Sequence, residues 1–159
     1  MKKSECKYSF LEVKQKIEAW CAYRDRCHSE VITKLFDFGL DQEDVNALLS
    51  QLIQDRFVDE QRFADAFVSG KYRIKKWGRN KIINHLKQKQ VPTNCIDSAI
   101  KTIDESLYWD NLISLTQKKW KEKSGDQYSK IQKVKRFLYQ KGYEYNLIEE
   151  AIDKVGNEF

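Results

Sequence analysis

Apolar residues recur along this chain in a pattern that appears three times. Each copy has an aliphatic residue and a leucine four positions apart: Val31 and Leu35, Ile82 and Leu86, Val134 and Leu138. Three further apolar residues stand 10, 13 and 14 positions after each leucine: Val45, Leu48 and Leu49; Ile96, Ala99 and Ile100; Ile148, Ala151 and Ile152. The periods are 51 and 52 residues. The sequence therefore predicts a tandem repeat.

Each copy reads as two helices joined by a tight turn. The pair four positions apart defines a face of one helix, and the later triplet defines a face of the next. The position four residues after each leucine holds Gly39, Gln90 or Gly142. Glycine suits the left-handed residue that ends a helix, whereas glutamine is costly there, so the middle turn is either slightly strained or differently built. Asp41 and Thr93 are predicted to cap the helices that follow.

A further helix precedes each pair, because apolar residues at helical spacing form a stripe before each one. The stripes are Phe10, Val13, Ile17 and Cys21; Phe63, Phe67, Gly70, Ile74 and Trp77; Trp109, Leu112, Ile113, Thr116 and Trp120. We therefore predict an all-α chain of three tandem three-helix repeat units, at residues 5–55, 57–105 and 106–157. Units of this size have marginal cores alone, so we expect them to lean on their neighbours in an elongated, curved, solenoid-like arrangement.

Composition agrees with helices and excludes several classes. One Pro and six Gly are few for a sandwich, a barrel or a glycine-rich nucleotide-binding fold, and 20 aromatic residues argue against disorder. The longest hydrophobic run, residues 19–23, has five residues and is too short for a membrane span or a secretory signal. The four cysteines lack zinc spacing, so we expect no metal, reduced thiols in the cytoplasm, and a core position for Cys21.

No arrangement of reactive side chains indicates catalysis. The two histidines, His28 and His85, have no nucleophile or carboxylate motif beside them, and neither phosphate-binding glycine motif occurs. We expect a protein that is not an enzyme and needs no cofactor.

Charge is unevenly distributed. The chain carries a net +5, yet residues 56–103 alone carry +7, with 11 basic and 4 acidic residues. A second basic segment, residues 118–141, has nine Lys or Arg against Glu122 and Asp126. Two such segments about one repeat apart favour a polyanion or an acidic protein as partner.

A contact surface can be placed on these segments. If the second apolar stripe faces inward, Tyr72, Lys75 and Lys76 face outward with Val68 beside them. The candidate contact residues are Tyr72, Lys75, Lys76, Arg79, Lys81, Lys118, Lys121, Lys133 and Arg136. Lysine outnumbers arginine in the second segment, and two of the three final helices begin with acidic residues. Both features favour non-specific attraction over sequence-specific DNA reading.

The central segment resembles the RecX regulatory proteins, which modulate the recombinase RecA. It runs Val58-Asp59-Glu60-Gln61-Arg62-Phe63-Ala64, then Phe67-Val68, then Lys76-Trp77-Gly78-Arg79 with Ile82 and Leu86. The first unit is similar too, in Glu30-Val31, Lys34-Leu35 and Gly39. Two positions depart from the family pattern, since Cys27 replaces a capping serine and Gln90 replaces a glycine.

The resemblance implies structural roles for the motif residues. Asp59 is expected to cap the helix that begins near Glu60, and Arg62 to brace that helix start or to reach a neighbouring unit. Gly78 is expected to allow a sharp passage between helices. The core residues implied are Phe63, Ala64, Ile82 and Leu86.

The resemblance also implies a function in DNA repair, homologous recombination and the SOS response. A monomer would lodge in the groove of a RecA–DNA filament and inhibit ATP hydrolysis and strand exchange. Two alternatives stay open. One is a general nucleic-acid-binding helical protein that contacts single- or double-stranded DNA directly, and the other is an adaptor for a different acidic protein.

Overall fold

The computed structural model describes residues 7–158, and this part of the chain consists of nine helices without a strand. The helices are α1 (Phe10–Tyr23), α2 (His28–Asp37), α3 (Gln42–Gln54), α4 (Glu60–Arg73), α5 (Arg79–Gln88), α6 (Thr93–Ile100), α7 (Glu105–Glu122), α8 (Gln127–Gln140) and α9 (Tyr145–Glu158). The all-α prediction is confirmed. The predicted start of the first unit, at residue 5, lies outside the described residues, as does Cys6. None of these nine helices combines the length and apolar character of a membrane span.

Aspartates define several of the helix starts. Asp41, Asp59, Asp104 and Asp126 each accept a hydrogen bond from the backbone N–H three residues later, at 2.7–3.0 Å. These bonds satisfy N–H groups that have no partner within the helix. The predicted caps at Asp41 and Asp59 are confirmed. Thr93 is a correction, because it is the first residue of α6 itself and follows Pro92.

The start of α2 is capped from a distance. Cys27 precedes the helix and its thiol makes no capping bond, as expected for the residue that replaces serine. The Glu60 carboxylate accepts a hydrogen bond from the His28 N–H instead, at 2.7 Å. A buried carboxylate from α4 therefore takes the place of the missing local cap.

Two compact units divide the described chain, and the first comprises residues 7–66 and 86–98. Its core joins α1, α2 and α3, and Cys21 lies in it, only 5% exposed, as predicted. Arg62 braces this unit: its Nε donates to Asp25 Oδ1 at 2.6 Å, and its terminal nitrogens donate to the Arg56 and Phe57 carbonyls. The motif residues Phe63, Ala64 and Leu86 are buried.

The second compact unit comprises residues 67–85 and 99–158. Helices α7, α8 and α9 pack on one another, and Ile82 is fully buried, as predicted. The predicted middle unit, residues 57–105, is divided between the two compact units. The predicted unit boundaries and the elongated, curved shape stay predictions.

The turns at the repeated position share one backbone conformation. Their φ angles are +94° at Gly39, +61° at Gln90 and +98° at Gly142. Gln90 is thus held in the left-handed region, which is the strained form of the middle turn. The position four residues after each repeated leucine therefore has a positive φ in all three copies, as the repeat predicts.

The inward face of α4 corrects the predicted stripe. Ala64, Val68 and Tyr72 are buried, with Tyr72 only 1% exposed, whereas Ile74 is 78% exposed. The prediction that Tyr72 and Val68 face outward is wrong. These three residues are themselves spaced four apart, and α4 ends at Arg73, so Ile74 and Trp77 leave its periodicity. Tyr72 is also tied down, since its carbonyl accepts from Asn111 Nδ2 at 2.8 Å.

Candidate functional site

The second compact unit brings two distant segments into backbone contact. The segment 76–80 lies against the turn 141–143, between α8 and α9. The Gly78 N–H donates to the Lys141 carbonyl at 2.7 Å, and the Asn80 N–H donates to the Gly142 carbonyl at 2.9 Å. The buried Tyr143 hydroxyl donates to the Lys76 carbonyl at 2.8 Å. Three hydrogen bonds therefore fix the segment that carries several predicted contact residues.

Glycine is required on both sides of this contact. A Cβ on Gly78 would lie 2.2 Å from the Gly142 carbonyl carbon and from the Tyr143 nitrogen. A Cβ on Gly142 would lie 2.4 Å from the Lys81 Cβ. Gly78 permits a close approach of two backbones, because with a side chain at this position the first turn of α5 would collide with the α8–α9 turn. Its predicted role in a sharp passage between helices stays a prediction.

This contact assembles lysines from both basic segments. Lys81 lies beside the 141–142 backbone, and Lys119 and Lys141 share the Phe137 ring, with Nζ atoms 4.4 and 5.9 Å from its centroid. Partial burial lowers the pKa of Lys141, and so do the charges of four neighbouring lysines. We call these five residues the lysine cluster: Lys75, Lys81, Lys118, Lys119 and Lys141.

The electrostatics of the lysine cluster favour an anionic partner. Five ammonium groups repel one another, and the only carboxylate paired with them among the described residues is Glu122, 2.9 Å from Lys119. An arriving anion would relieve that repulsion. Lysines form a mobile set of point charges, without the fork geometry that reads a base edge or a carboxylate bidentately. The cluster suits a phosphate backbone or an acidic protein surface.

Arg79 does not belong to this surface, which corrects the prediction. Its guanidinium pairs with the Glu105 carboxylate and with Glu144 Oε2, the latter at 2.9 Å, and lies 4.0 Å from the Tyr108 ring centroid. The Tyr108 hydroxyl donates to Glu144 as well. The pKa of Tyr108 is raised mainly by burial and, to a smaller extent, by this hydrogen bond. Arg79 therefore holds the start of α5 to α7 and to Glu144, the residue that precedes α9.

The remaining predicted contact residues have separate surroundings. Lys76 is half-buried, with φ +55° in the turn after α4. Lys121 is exposed on α7, and Lys133 Nζ donates to the Ser124 carbonyl at 3.3 Å. Arg136 lines a cleft between α8 and α9.

Sequence reasoning missed part of the lysine cluster. Lys119 and Lys141 belong to the second basic segment but were not among the predicted contact residues. A signal was present for Lys141, because it directly precedes the glycine of the repeated turn, where the chain must reach the surface. Nothing in the local sequence indicates that Lys75 and Lys81 would meet it.

Carboxylates and thiols form no metal-binding group of three or more within residues 7–158. Of the four cysteines, Cys21, Cys27 and Cys95 are buried free thiols. Burial raises the pKa of Cys21 to about 11, which keeps this thiol protonated and unreactive at neutral pH.

The helices and their contacts define an all-α protein of tandem three-helix domains, and comparison with known families gives the same result. The family model for the second three-helix domain of RecX matches residues 59–100. The model for the third three-helix domain of RecX matches residues 106–152. Together these matches cover more than half of the chain, and the predicted tandem three-helix organisation is confirmed.

Curated proteins with similar sequences are named as RecX proteins. "Regulatory protein RecX" of Clostridium tetani is 30% identical over 129 residues, which cover 79% of this chain and 59% of the relative. The protein of that name from Clostridium botulinum is 31% identical over 135 residues, which cover 83% of this chain and 63% of the relative. The chain thus spans about three fifths of the length of these relatives.

A solved structure agrees on the fold. The crystal structure of RecX from Lactobacillus salivarius superposes on this chain with a TM-score of 0.83. The superposition covers 92% of this chain and 96% of the Lactobacillus salivarius chain, and the two sequences are 20% identical. The chain belongs to the RecX family.

Proposed function

We propose that this protein binds the RecA–DNA filament through the lysine cluster and inhibits ATP hydrolysis and strand exchange by the recombinase. The single observation that supports this proposal is that two basic segments about one repeat apart lie in backbone contact. Lys81 lies against Gly142, and Lys119 and Lys141 lie over the same Phe137 ring. A filament presents regularly repeated phosphates and acidic side chains, so such a cluster can find complementary charge along it. The protein does this without catalysis and without a cofactor.

The location of the cluster suits a rigid contact. Lys81 and Lys141 stand on backbone that three hydrogen bonds and two close-packed glycines hold in place. Because this backbone is already ordered, it loses little conformational entropy when a partner binds. The predicted contacts Lys121, Lys133 and Arg136 would extend the contact beyond the cluster, whereas Tyr72 and Arg79 are assigned to the fold.

The test is the single-stranded-DNA-dependent ATPase of RecA from the same organism, titrated with this protein. We expect inhibition well below one protein per recombinase, and we expect it to survive excess DNA. A variant with Lys75→Glu, Lys81→Glu and Lys118→Glu should lose inhibition at least tenfold. The matched control carries Lys87→Glu, Lys101→Glu and Lys154→Glu, which make the same change in net charge on exposed lysines outside the cluster. Equal inhibition by the two variants would refute the proposed contact.

The same cluster supports a second candidate function, direct binding to DNA. Its lysines suit phosphates as well as carboxylates, and a plain DNA binder should weaken steeply with salt, with a slope set by the phosphates it neutralises. Inhibition that disappears when excess DNA is added would favour this candidate. Inhibition that persists, and that requires the nucleotide-bound filament, would favour the first.

A further inference from the structure

A cleft of about 300 Å³ opens on the second compact unit, apart from the lysine cluster. It is lined by residues of two helices: Gln132, Lys135, Arg136 and Tyr139 of α8, and Tyr145 of α9. The α8 residues follow the spacing of one helical face, and Tyr145 is the first residue of α9. The cleft therefore lies where the end of α8 and the start of α9 come together.

The tyrosines in this cleft are not explained by the fold. Tyr139 is 66% exposed and Tyr145 is 58% exposed, whereas Tyr143, between them in the chain, is fully buried. An exposed tyrosine ring offers a flat apolar face and a polar tip. Two such rings at a concave site offer stacking surface that the core does not use.

The two charged side chains of the cleft, Lys135 and Arg136, differ in whether a carboxylate pairs with them. Lys135 Nζ lies 3.8 Å from Glu149 and 5.6 Å from the Tyr145 ring centroid, so its charge is partly used within the protein. Arg136 is exposed, and no carboxylate of residues 7–158 forms an ion pair with it. A guanidinium that lacks a carboxylate partner can hold a phosphate through two parallel hydrogen bonds. The Gln132 amide adds a donor and an acceptor.

From this combination we infer that the cleft is a subsite for one unpaired nucleotide of a single-stranded nucleic acid. The base stacks on Tyr139 and Tyr145, the adjoining phosphate pairs with Arg136, and Gln132 bonds the edge of the base. Stacking of this kind is tolerant of sequence, because every base has a flat aromatic face. Duplex DNA is not a ligand for the cleft, since its bases are already stacked. The inference does not depend on the lysine cluster, because none of its five lysines lines the cleft. Arg136 is shared with the extended filament contact proposed above.

The experiment measures the affinity of the full chain for a fluorescent oligothymidine and for a duplex of equal length, by anisotropy at several salt concentrations. We expect Tyr139→Ala with Tyr145→Ala to weaken binding to oligothymidine about tenfold and to leave duplex binding unchanged. Tyr139→Phe with Tyr145→Phe should restore affinity, because the rings remain. Arg136→Ala should reduce the salt slope by about one phosphate contact.

A matched control is available on the same helix. Tyr128 is 74% exposed near the start of α8 and does not line the cleft, so Tyr128→Ala should leave both affinities unchanged. Ultraviolet crosslinking of a 5-bromouracil oligonucleotide should place the adduct on Tyr139 or Tyr145. Melting curves check that each variant folds.

Three outcomes would overturn the inference. The first is the absence of oligothymidine binding. The second is an equal loss of single-strand and duplex binding in the double alanine variant. The third is a double alanine variant that keeps oligothymidine affinity but loses RecA inhibition, which would assign the cleft to a protein partner. Loss of inhibition in the lysine-cluster variant alone would bear on the proposed function and not on this cleft.

Discussion

The turn between α8 and α9 and the turn between α5 and α6 occupy the same place in the repeat, yet they tolerate different residues. Gly142 and Gln90 both have positive φ, at +98° and +61°. Around Gly142 another backbone approaches so closely that a Cβ would lie 2.5 Å from the Lys81 nitrogen. Gln90 has a side chain in the corresponding place and is exposed.

The difference shows that two separate demands select glycine in this repeat. One is the left-handed conformation, which costs a non-glycine residue about 1–2 kcal/mol and which Gln90 therefore bears as strain. The other is space, which no larger residue can provide. The turn that bears both demands is the one that fixes Lys81 beside Lys141, so the stricter turn supports the lysine cluster.

The largest expected effect comes from filling the close contact. Gly78→Ala should destabilise the protein by about 3 kcal/mol, because its Cβ would collide with backbone at Gly142 and Tyr143 and break the Gly78 N–H bond to Lys141. Chemical denaturation measures the change. Gly70→Ala is the control: nothing lies within 4 Å of its added Cβ, so α4 should gain about 0.5–1 kcal/mol. Similar changes in both variants would contradict the close contact.

The next effect concerns the charges that hold the start of α5. Arg79→Ala should cost about 2 kcal/mol, because Glu105 and Glu144 lose their cation and Glu144 is half-buried. Lys75→Ala, on the same basic segment but exposed, should change stability by less than about 0.5 kcal/mol. Thermal unfolding distinguishes the two. Equal stability of the two variants would contradict the structural role of Arg79 and would make it a candidate contact residue again.

Arg79 also shows where sequence reasoning ends. The stretch from Ala66 to Ile96 contains no acidic residue, so every cation in it looked available for a partner. The partners of Arg79 lie 26 and 65 positions away, on segments that only the tertiary fold brings near. A run of charge in the sequence therefore overstates the charge at the surface, and arginine is the residue most easily withdrawn from it.

The helices themselves could be predicted because their signals are local. Periodicity at Val31 and Leu35, the cap at Asp41 and the repeated glycine position each act within a few residues. The cap at Asp59 was implied by the family resemblance. The inward face of α4 could not be chosen, because Tyr72 belongs to one stripe and Ile74 to another of equal regularity. Partners from other helices decided between them. For the same reason, the proximity of Lys75 and Lys81 to Lys141 could not be predicted, because it depends on the tertiary contact between segment 76–80 and turn 141–143.

A smaller effect should appear at Tyr143, whose hydroxyl bonds the Lys76 carbonyl. Tyr143→Phe should cost about 1 kcal/mol at neutral pH, because the carbonyl of the half-buried Lys76 loses its donor. Burial raises the pKa of Tyr143 above its ordinary value of 10.0. The protonated phenol therefore contributes stability below pH 10, and this contribution is lost as the pH rises above 10.

The pH profile gives this prediction its control. Stability measured from pH 8 to pH 11 should fall less steeply in the phenylalanine variant than in the natural sequence. The matching position in the other turn is Val91, buried and without a titrating group, so Val91→Ile should leave the profile parallel to that of the natural sequence. If the profile of Tyr143→Phe is parallel to that of the natural sequence, then ionisation of the Tyr143 phenol does not change the stability of the protein.

The smallest effect has the opposite sign and tests the strain in the middle turn. Gln90→Gly should stabilise the protein by about 0.5 kcal/mol, because relief of the left-handed strain exceeds the entropy that glycine adds to the unfolded chain. Gln51→Gly, the same substitution inside α3, should destabilise by about 1 kcal/mol. Urea denaturation of the two variants gives the sign directly. If Gln90→Gly destabilises, then contacts of the Gln90 side chain outweigh its backbone strain, and the two turns differ by packing and not by the demand for glycine alone.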